Sequence, residues 1–299
     1  MTAKIIDGLA ISAEIRADLA ARVSRLKEQG IDPGLAFIIV GDNPASISYV
    51  RAKVQACSET GLRSHTFQLP LETTQEQLLE LIEQINRDPS WNGMIVQLPL
   101  PREIDPDVIA NAIDPDKDAD AANPVNVGRM LIGMPGPKAC TPAGVQQLLI
   151  RSGNDPAGKK VVIVGRSNLV GKPLAALLIQ RGSGANATVT VCHTGTKDLV
   201  AETRAADIIV AAAGAVNMIT ADMVKPGSVV IDVGTNRIPD ATRKSGSRLV
   251  GDVDFDAVKE VAGFITPVPG GVGPMTVTML LANTVAAAER LVAGQPSPA

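Results

Sequence analysis

The sequence predicts an α/β protein made of two α/β domains. Short apolar runs such as Leu35–Val40 and Val161–Val164 end at glycine and read as buried parallel strands. They alternate with amphipathic stretches at helical spacing, the pattern of parallel sheets joined by crossover helices. A length of 299 residues also favours two cores over one.

In chain order, residues 10–28 place Ile11, Ile15, Leu19, Val23 and Leu26 on one helical face ahead of Gly30. Leu35–Val40 is a strand closed by Gly41-Asp42-Asn43-Pro44, and Ser46–Glu59 a helix closed by Gly61. Ser64–Leu69 alternates as a strand. Gln75–Asn86 is amphipathic through Leu78, Leu79, Ile82 and Ile85, and Gly93–Leu98 is a strand running into Pro99-Leu100-Pro101. Residues 114–142 interrupt the alternation with five prolines and read as a long interdomain or functional loop. At its end Thr141 is placed to cap a helix with Pro142 in the first turn. The alternation then restarts. Strands are expected at 160–164, 187–191, 207–211, 228–232, 248–251 and 263–266, with helices at 171–181, 197–205, near 220–224 and near 254–261. The last helix, Met275–Val292, comes after P-V-P-G-G-V-G-P and is expected to return to the first domain, so the expected domains are 1–139 plus 275–299, and 140–274.

Composition removes several function classes. Apolar residues are 45% and charged residues 20%, as in ordinary globular proteins. A net charge of −3 with scattered Lys and Arg argues against nucleic acid or anionic membrane as partner, and 2% aromatics are too few for a base-stacking platform. No apolar run approaches a membrane span, and the start M-T-A-K-I-I-D-G lacks a signal segment, so a cytoplasmic location is expected. Cys57, Cys140 and Cys192 read as reduced thiols, and no metal is expected: Cys192-His193 reads as a strand end, not a ligand pair.

The stretch Lys159–Pro173 has strand, glycine turn and helix in the order that places a phosphate on helix N–H groups. A phosphate-transfer loop is disfavoured, because five residues separate Gly165 from Gly171 and Pro173 follows Lys172. The dinucleotide fingerprint is imperfect, with Ser167 and Val170 at its second and third glycine positions. Two features sharpen the turn. The next strand ends in Val191-Cys192-His193-Thr194, without the acid that an NAD site uses on ribose, and Arg166 stands where a guanidinium can bind a 2′-phosphate. The expected cofactor is NADP on a doubly wound, Rossmann-type domain.

The first domain carries different chemistry. Tyr49 and Lys53 are spaced i,i+4 and share a helix face. Gln97 stands at the end of strand Gly93–Leu98, where parallel sheets bind ligands, and is read as a buried group that orients Lys53 and keeps it neutral. Burial lowers a lysine pKa, and the neutral amine then serves as a base near pH 7. Asp118 and Asp120 lie in the irregular loop, where a carboxylate either forms a turn or accepts from an N–H-rich heterocycle. These residues predict a cleft with NADP on one wall and Tyr, Lys, Gln and Asp on the other.

Eight motifs in order now carry a resemblance: Y-V-R-A-K at 49–53, G-M-I-V-Q-L-P-L-P at 93–101, D-P-D-K-D-A-D at 114–120, C-T-P at 140–142, V-G-R-S-N-L-V-G-K-P-L-A at 164–175, D-V-G-T-N-R at 232–237, G-D-V at 251–253 and P-V-P-G-G-V-G-P-M-T at 267–276. From about Lys4 to Val292 the chain resembles the bifunctional methylenetetrahydrofolate dehydrogenase/methenyltetrahydrofolate cyclohydrolase family. The resemblance implies a homodimer that oxidises 5,10-methylenetetrahydrofolate with NADP and hydrolyses the methenyl product to 10-formyltetrahydrofolate. It implies that Tyr49 stacks on folate, Lys53 is the central catalytic group, Gln97 tunes it, and Asp120 holds the pterin. It also implies folate contacts from Val96, Leu98 and the segment Pro269, Gly270, Gly271, Val272, Gly273 to Val277, and nucleotide contacts from Gly165, Arg166, Ser167, Thr194 and Thr235. The chain departs from the family at Ala121-Ala122-Asn123, where glycine, an aromatic and histidine are usual, and at Gln55, where a second lysine is common.

Overall fold

The structure is a computed structural model describing residues 2–243 and 246–292. Its first elements are β1 (Lys4–Ile5), α1 (Gly8–Glu28), β2 (Gly34–Val40), α2 (Pro44–Thr60), β3 (Arg63–Leu69), α3 (Gln75–Arg87) and β4 (Gly93–Val96). Next come α4 (Pro106–Ala112), α5 (Pro124–Leu131), α6 (Cys140–Arg151), β5 (Lys160–Val164), α7 (Gly171–Leu178), β6 (Thr188–Cys192), α8 (Leu199–Arg204) and β7 (Ile208–Ala211). The remainder are β8 (Val229–Asp232), β9 (Asn236–Pro239), β10 (Ser247–Val250), α9 (Phe255–Val258), β11 (Phe264–Ile265) and α10 (Val272–Val292). The chain divides into two compact units. One holds Ala13–Cys140 and the chain from Val277; the other holds the chain up to Ser12 and Thr141–Thr276.

In the first of these, β2 pairs in parallel with β3 on one side and β4 on the other, and all seven of its residues are buried. That is why its sequence is a continuous apolar run without alternation. Helix α3 lays Leu78, Ile82 and Ile85 against Ala36, Ile38, Trp91 and Met94. Each such side chain taken from water contributes roughly 1.5–3 kcal/mol before entropic costs. The helix ends are set locally. Asn43 Oδ1 accepts from the N–H groups of Ala45 and Ser46 at the start of α2, and Gly61 ends it at φ 72°. Thr74 and Gln77 form a reciprocal capping box on α3. Gly93 packs so closely on α10 that a Cβ there would sit 2.7 Å from Thr284 Oγ1. The strand expected over Gly93–Leu98 ends at Val96, although Gln97 N–H still donates to Ile38 O at 2.8 Å.

The segment expected as a loop over 114–142 holds more structure than that. Met94 N–H donates to Lys117 O at 2.7 Å and Ala119 N–H to Met94 O at 3.2 Å, so Lys117–Ala119 runs along the edge of β4. Helix α5 then begins at Pro124, capped by Asn123 Oδ1 on Val125 N–H at 2.8 Å. Asn123 Nδ2 also donates to the carbonyls of Ala110, Asn111 and Ile113, closing the end of α4. Buried Asp118 accepts from the N–H groups of Ala122 and Asn123 and from Asn126 Nδ2. Its role is the turn-forming one. Lys117 Nζ donates to Ile85 O, Asn86 O and Asp88 O, a cation on the carbonyl end of α3. Between these anchors the chain reverses at Ala121, whose φ of 56° is the left-handed conformation that favours glycine.

The other unit is a six-stranded parallel sheet in the order β1-β11-β8-β7-β5-β6. Strand β1 has no counterpart among the expected strands. It pairs Lys4 with Phe264, which places the first residues with this sheet and not with the expected 1–139 domain. Successive strands pass from β6 on one side of β5 to β7 on the other, so β5 is the topological switch point. The strand expected at 248–251 does not join this sheet. It is β10, paired antiparallel with β9 in a separate hairpin. Thr141 is not a cap, because α6 already begins at Cys140; its hydroxyl instead shares a hydrogen bond with that of Thr276 at 3.0 Å. Helix α10 starts at Val272, three residues before the expected Met275, and carries Pro274 in its first turn, where no intrahelical N–H is needed. The helix expected near 220–224 is a 3-10 turn at Ala221–Met223, and that near 254–261 is the single-turn α9. No described helix is long and apolar enough to cross a membrane.

Two substitutions test the reversal at Ala121. Ala121→Gly is expected to raise thermal stability by up to about 1 kcal/mol, the left-handed penalty less the entropy glycine adds to the unfolded chain. Asn123→Ala is expected to cost about 2–3 kcal/mol, since it removes a cap and leaves Ile113 O without its donor. Thermal melts of both proteins against the parent decide; a destabilised Ala121→Gly protein would contradict the strain.

Candidate active site

Lys53 lies one turn after Tyr49 on α2, and its Nζ donates to Gln97 Oε1 at 3.0 Å. Gln97 is half-buried, not fully buried as expected, just past the end of β4. Its Nε2 donates to Leu98 O at 2.7 Å, which fixes the amide so that Oε1 faces the lysine. Burial pushes the Lys53 ammonium below the usual lysine range, while the charge of Asp120 pulls the other way. Asp120 comes directly after the Lys117–Ala119 edge segment, so both Gln97 and Asp120 leave neighbouring strands at the same end. Tyr49 is 52% exposed, its ring open to a ligand, and Leu98 is 45% exposed. Val96, half-buried, ends β4.

Cys140, a plain thiol by its sequence context, is a further member of this group. It is buried, its Sγ–H donates to Ala119 O at 3.4 Å, and burial together with Asp120 holds the thiol well above its usual range. Asn283 Nδ2 donates to Ala119 O and Lys138 O, both at 2.8 Å, and so pins the backbone next to Asp120. The C-T-P motif is visible in the sequence, but nothing there joins it to residue 283.

In the other unit, Gly165 leaves β5 at φ 131°. A Cβ there would lie 2.0 Å from Ala212 O, and one on Gly171 would lie 2.0 Å from Gly165 O. These two glycines let the turn close against the end of β7 and against the start of its own helix, the close backbone approach that a phosphate-binding turn needs. Ser167 Oγ accepts from Val170 N–H at 3.1 Å and Lys172 Nζ reaches Asn168 Oδ1 at 2.7 Å, which shapes the loop. Arg166 is exposed at its tip. Because β5 and β6 pair Val164 with Cys192, Arg166 and the exposed Thr194 emerge from adjacent strand ends.

Farther along the same edge lies a pocket of about 280 Å³ lined by Asp232–Thr235 and Pro267–Pro274 with Leu9 and Leu249. Thr235 and the residues Pro269, Gly270, Gly271, Val272 and Gly273 therefore meet in one pocket, and Val277 continues into α10. Its wall is tight: Leu9 N–H donates to Gly270 O at 3.2 Å, and a Cβ on Gly8 would lie 1.8 Å from Gly271 O. Two buried acids underlie it. Asp232 accepts from the N–H groups of Gly234, Asp252 and Val253 at 2.9, 2.9 and 3.0 Å. Burial nevertheless raises its pKa to about 6, against the pull of those bonds. Asp252 Oδ2 accepts from Ala213 and Gly214 N–H at 2.7 and 2.8 Å, and its Oδ1 from Asn236 Nδ2 at 2.8 Å. Both acids lie in motifs that carry the resemblance, D-V-G-T-N-R and G-D-V, yet the sequence alone assigns neither a role. The available signal is a glycine beside each acid: a Cβ on Gly251 would lie 1.8 Å from Asp232 Oδ2, and one on Gly234 would lie 2.3 Å from Asp252 Oδ1.

Comparison with known proteins agrees with this division of labour. The family model described as tetrahydrofolate dehydrogenase/cyclohydrolase, catalytic domain, matches residues 6–120, and that described as the NAD(P)-binding domain of the same family matches residues 139–292. A protein named bifunctional protein FolD from Acidovorax sp. (strain JS42) is 54% identical over 292 residues, covering 97% of this chain and all of its own. The crystal structure of the bifunctional enzyme FolD, methylenetetrahydrofolate dehydrogenase/cyclohydrolase, from Campylobacter jejuni is 48% identical with a TM-score of 0.91, covering 96% of this chain and 99% of its own. The Trypanosoma brucei N5,N10-methylenetetrahydrofolate dehydrogenase-cyclohydrolase, solved with NADP cofactor and inhibitor, is 42% identical with a TM-score of 0.91, covering 98% of this chain and 99% of its own.

The electrostatics of Lys53 give a direct test. Its neutral fraction at a given pH should exceed that of surface lysines, because burial lowers its pKa. Asp120 opposes that fall, so Asp120→Asn should lower the Lys53 pKa further. Acetic anhydride labelling across pH, read peptide by peptide, measures both. A Lys53 that titrates with the surface lysines, or that moves upward in Asp120→Asn, contradicts this account.

Proposed function

The chain belongs to the tetrahydrofolate dehydrogenase/cyclohydrolase family, and on that premise we propose that it oxidises 5,10-methylenetetrahydrofolate with NADP and hydrolyses the 5,10-methenyl product to 10-formyltetrahydrofolate. The observation that carries the reading is the half-buried Lys53 amine, held by Gln97 Oε1 at 3.0 Å and facing the charge of Asp120. NADP, when bound, supplies the hydride acceptor for the first reaction. The folate nitrogens stabilise the cation left by hydride loss, so the protein's part in that step is alignment. Tyr49 stacks on the folate, and Asp120 accepts from the N–H edge of the pterin. Further folate contacts come from Val96, Leu98 and the segment Pro269–Val277. The nucleotide is held by Gly165, Arg166, Ser167, Thr194 and Thr235, with Arg166 and Thr194 on the 2′-phosphate.

Hydrolysis makes the larger demand on side chains. Water adds to the methenyl carbon and loses a proton, a ring nitrogen gains one as its bond to that carbon breaks, and the remaining hydroxyl proton leaves to solvent as the formyl C=O forms. A lysine of lowered pKa performs both transfers, taking the first proton as a neutral amine and returning it as an ammonium. Gln97 keeps that amine aimed through both states. We further place the protein in the cytoplasm as a homodimer, a reading that rests on the family resemblance; light scattering on the purified protein measures the second point.

Incubation with methylenetetrahydrofolate and either NADP or NAD, followed by methenyl and reduced-cofactor absorbance, tests the first reaction; absence of turnover with both cofactors overturns it. Lys53→Met should lower methenyltetrahydrofolate hydrolysis by about 10²–10⁴-fold, and a retained rate removes Lys53 from its role. Arg166→Ala should raise the KM for NADP roughly 10- to 100-fold while leaving that for NAD unchanged, the loss of one charge-assisted contact. An unchanged preference places the 2′-phosphate elsewhere.

A further inference from the structure

A dinucleotide on this sheet has its direction set by the turn at β5. With the 2′-phosphate of its adenosine half on the β6 side, at Arg166 and Thr194, its other half lies across the switch point, over the ends of β7 and β8. Two turns meet it there, Ala213–Gly214 after β7 and Val233–Asn236 after β8. The first turn is no regular element and the second leads into β9 at Asn236, and neither is held by its own residues alone. Asp252 holds both. It is fully buried, and its one carboxylate accepts from two consecutive N–H groups of the first turn on Oδ2 and from the Asn236 side chain on Oδ1. Asn236 Nδ2 also donates to Gly251 O at 3.2 Å, so the second turn is tied to the acid's own backbone as well. Asp232 fixes Asp252 in turn, accepting its N–H and that of Val253. Gly234 packs on the same carboxylate so closely that a Cβ there would lie 2.3 Å from Asp252 Oδ1, so the second turn rests directly on the acid.

We propose that Asp252 is a positioning residue for the nicotinamide half of NADP: its buried carboxylate clamps the Ala213–Gly214 and Val233–Asn236 turns together in the conformation that receives it. The proposal rests on the function proposed above. It adds a consequence specific to this clamp. Of the two reactions only the oxidation uses the nucleotide; hydrolysis consumes water alone. Loosening the clamp therefore separates two activities of the same protein. An amide at position 252 cannot accept on both sides, so Asp252→Asn sets a donor against either the Ala213–Gly214 N–H pair or Asn236 Nδ2. Asn236→Ala is milder, since it removes the side-chain tie and leaves the carboxylate with its two backbone donors.

The experiment measures three quantities for the parent, Asp252→Asn and Asn236→Ala: NADP affinity by calorimetry, the KM for NADP and kcat of oxidation, and the rate of methenyltetrahydrofolate hydrolysis without nucleotide. Asp252→Asn is expected to weaken NADP binding and raise its KM by about tenfold or more, as for a buried bond left unmade, with hydrolysis near the parent rate. Asn236→Ala is expected to move in the same direction by less. Loss of both activities in parallel, or NADP affinity unchanged in a folded variant, overturns the clamp. Should Asp252→Asn fail to fold, Asn236→Ala decides alone, and an unchanged NADP affinity there overturns it equally. A parent protein that binds NADP but turns over neither folate counts against the proposed function, while calorimetry on the variants still tests the clamp.

Discussion

In a parallel sheet every strand releases its next residue at the same edge, and the chemistry of this protein depends on that constraint. The central strands β2, β7 and β8 are buried along their whole length, so few of their side chains can meet a ligand, and their backbone groups are used by neighbours. The residues just beyond each strand are free to act. Gln97 lies past β4, Asp120 past the edge segment beside it, Arg166 past β5 and Thr194 past β6, and the turns at Ala213 and Val233 come after β7 and β8. Six loops far apart in sequence are thereby delivered to two strand edges, one in each unit, with no need for the loops to find one another.

The same constraint makes buried charge a recurring device. Loops at a strand edge are irregular, and their N–H groups lack the partners that helices and ladders supply. Asp118, Asp232 and Asp252 fill that need, each accepting from backbone N–H groups of the turn it organises. The cost is desolvation, visible in the carboxylate of Asp232 being raised to about 6. Lys53 shows the opposite use of burial. There burial lowers the pKa of a cation, and one neutral acceptor, Gln97 Oε1, holds the amine.

How much of this the sequence discloses depends on the range of each interaction. The strands were legible because a doubly buried strand is an uninterrupted apolar run, and Gly165 was legible because only glycine tolerates its φ and its approach to Ala212. The pairing of Tyr49 with Lys53 comes from helical spacing. Less was legible where the determinant is distant or its signal competes with others. The proline-rich segment 114–142 masked α5, although Asn123-Pro124 is a start signal, because the same residues also make turns. Strand β1 is two residues long and exists only through a partner near position 264. The Asp252 clamp joins residues 213, 214, 236 and 252, and no local pattern connects them.

That two-residue strand sets the timetable of synthesis. Lys4 emerges from the ribosome among the first residues and finds its place only beside Phe264, about 260 residues later. At cellular elongation speeds the interval is on the order of 10–50 s. The smaller sheet waits comparably long, because Gly93 is shaped to receive Thr284 of α10. Neither unit can complete its packing from an unfinished polypeptide, and the apolar strand β2 is made early. Strand β2 finds β3, β4 and α3 within the first hundred residues, but the surface at Gly93 stays uncovered until the last helix arrives.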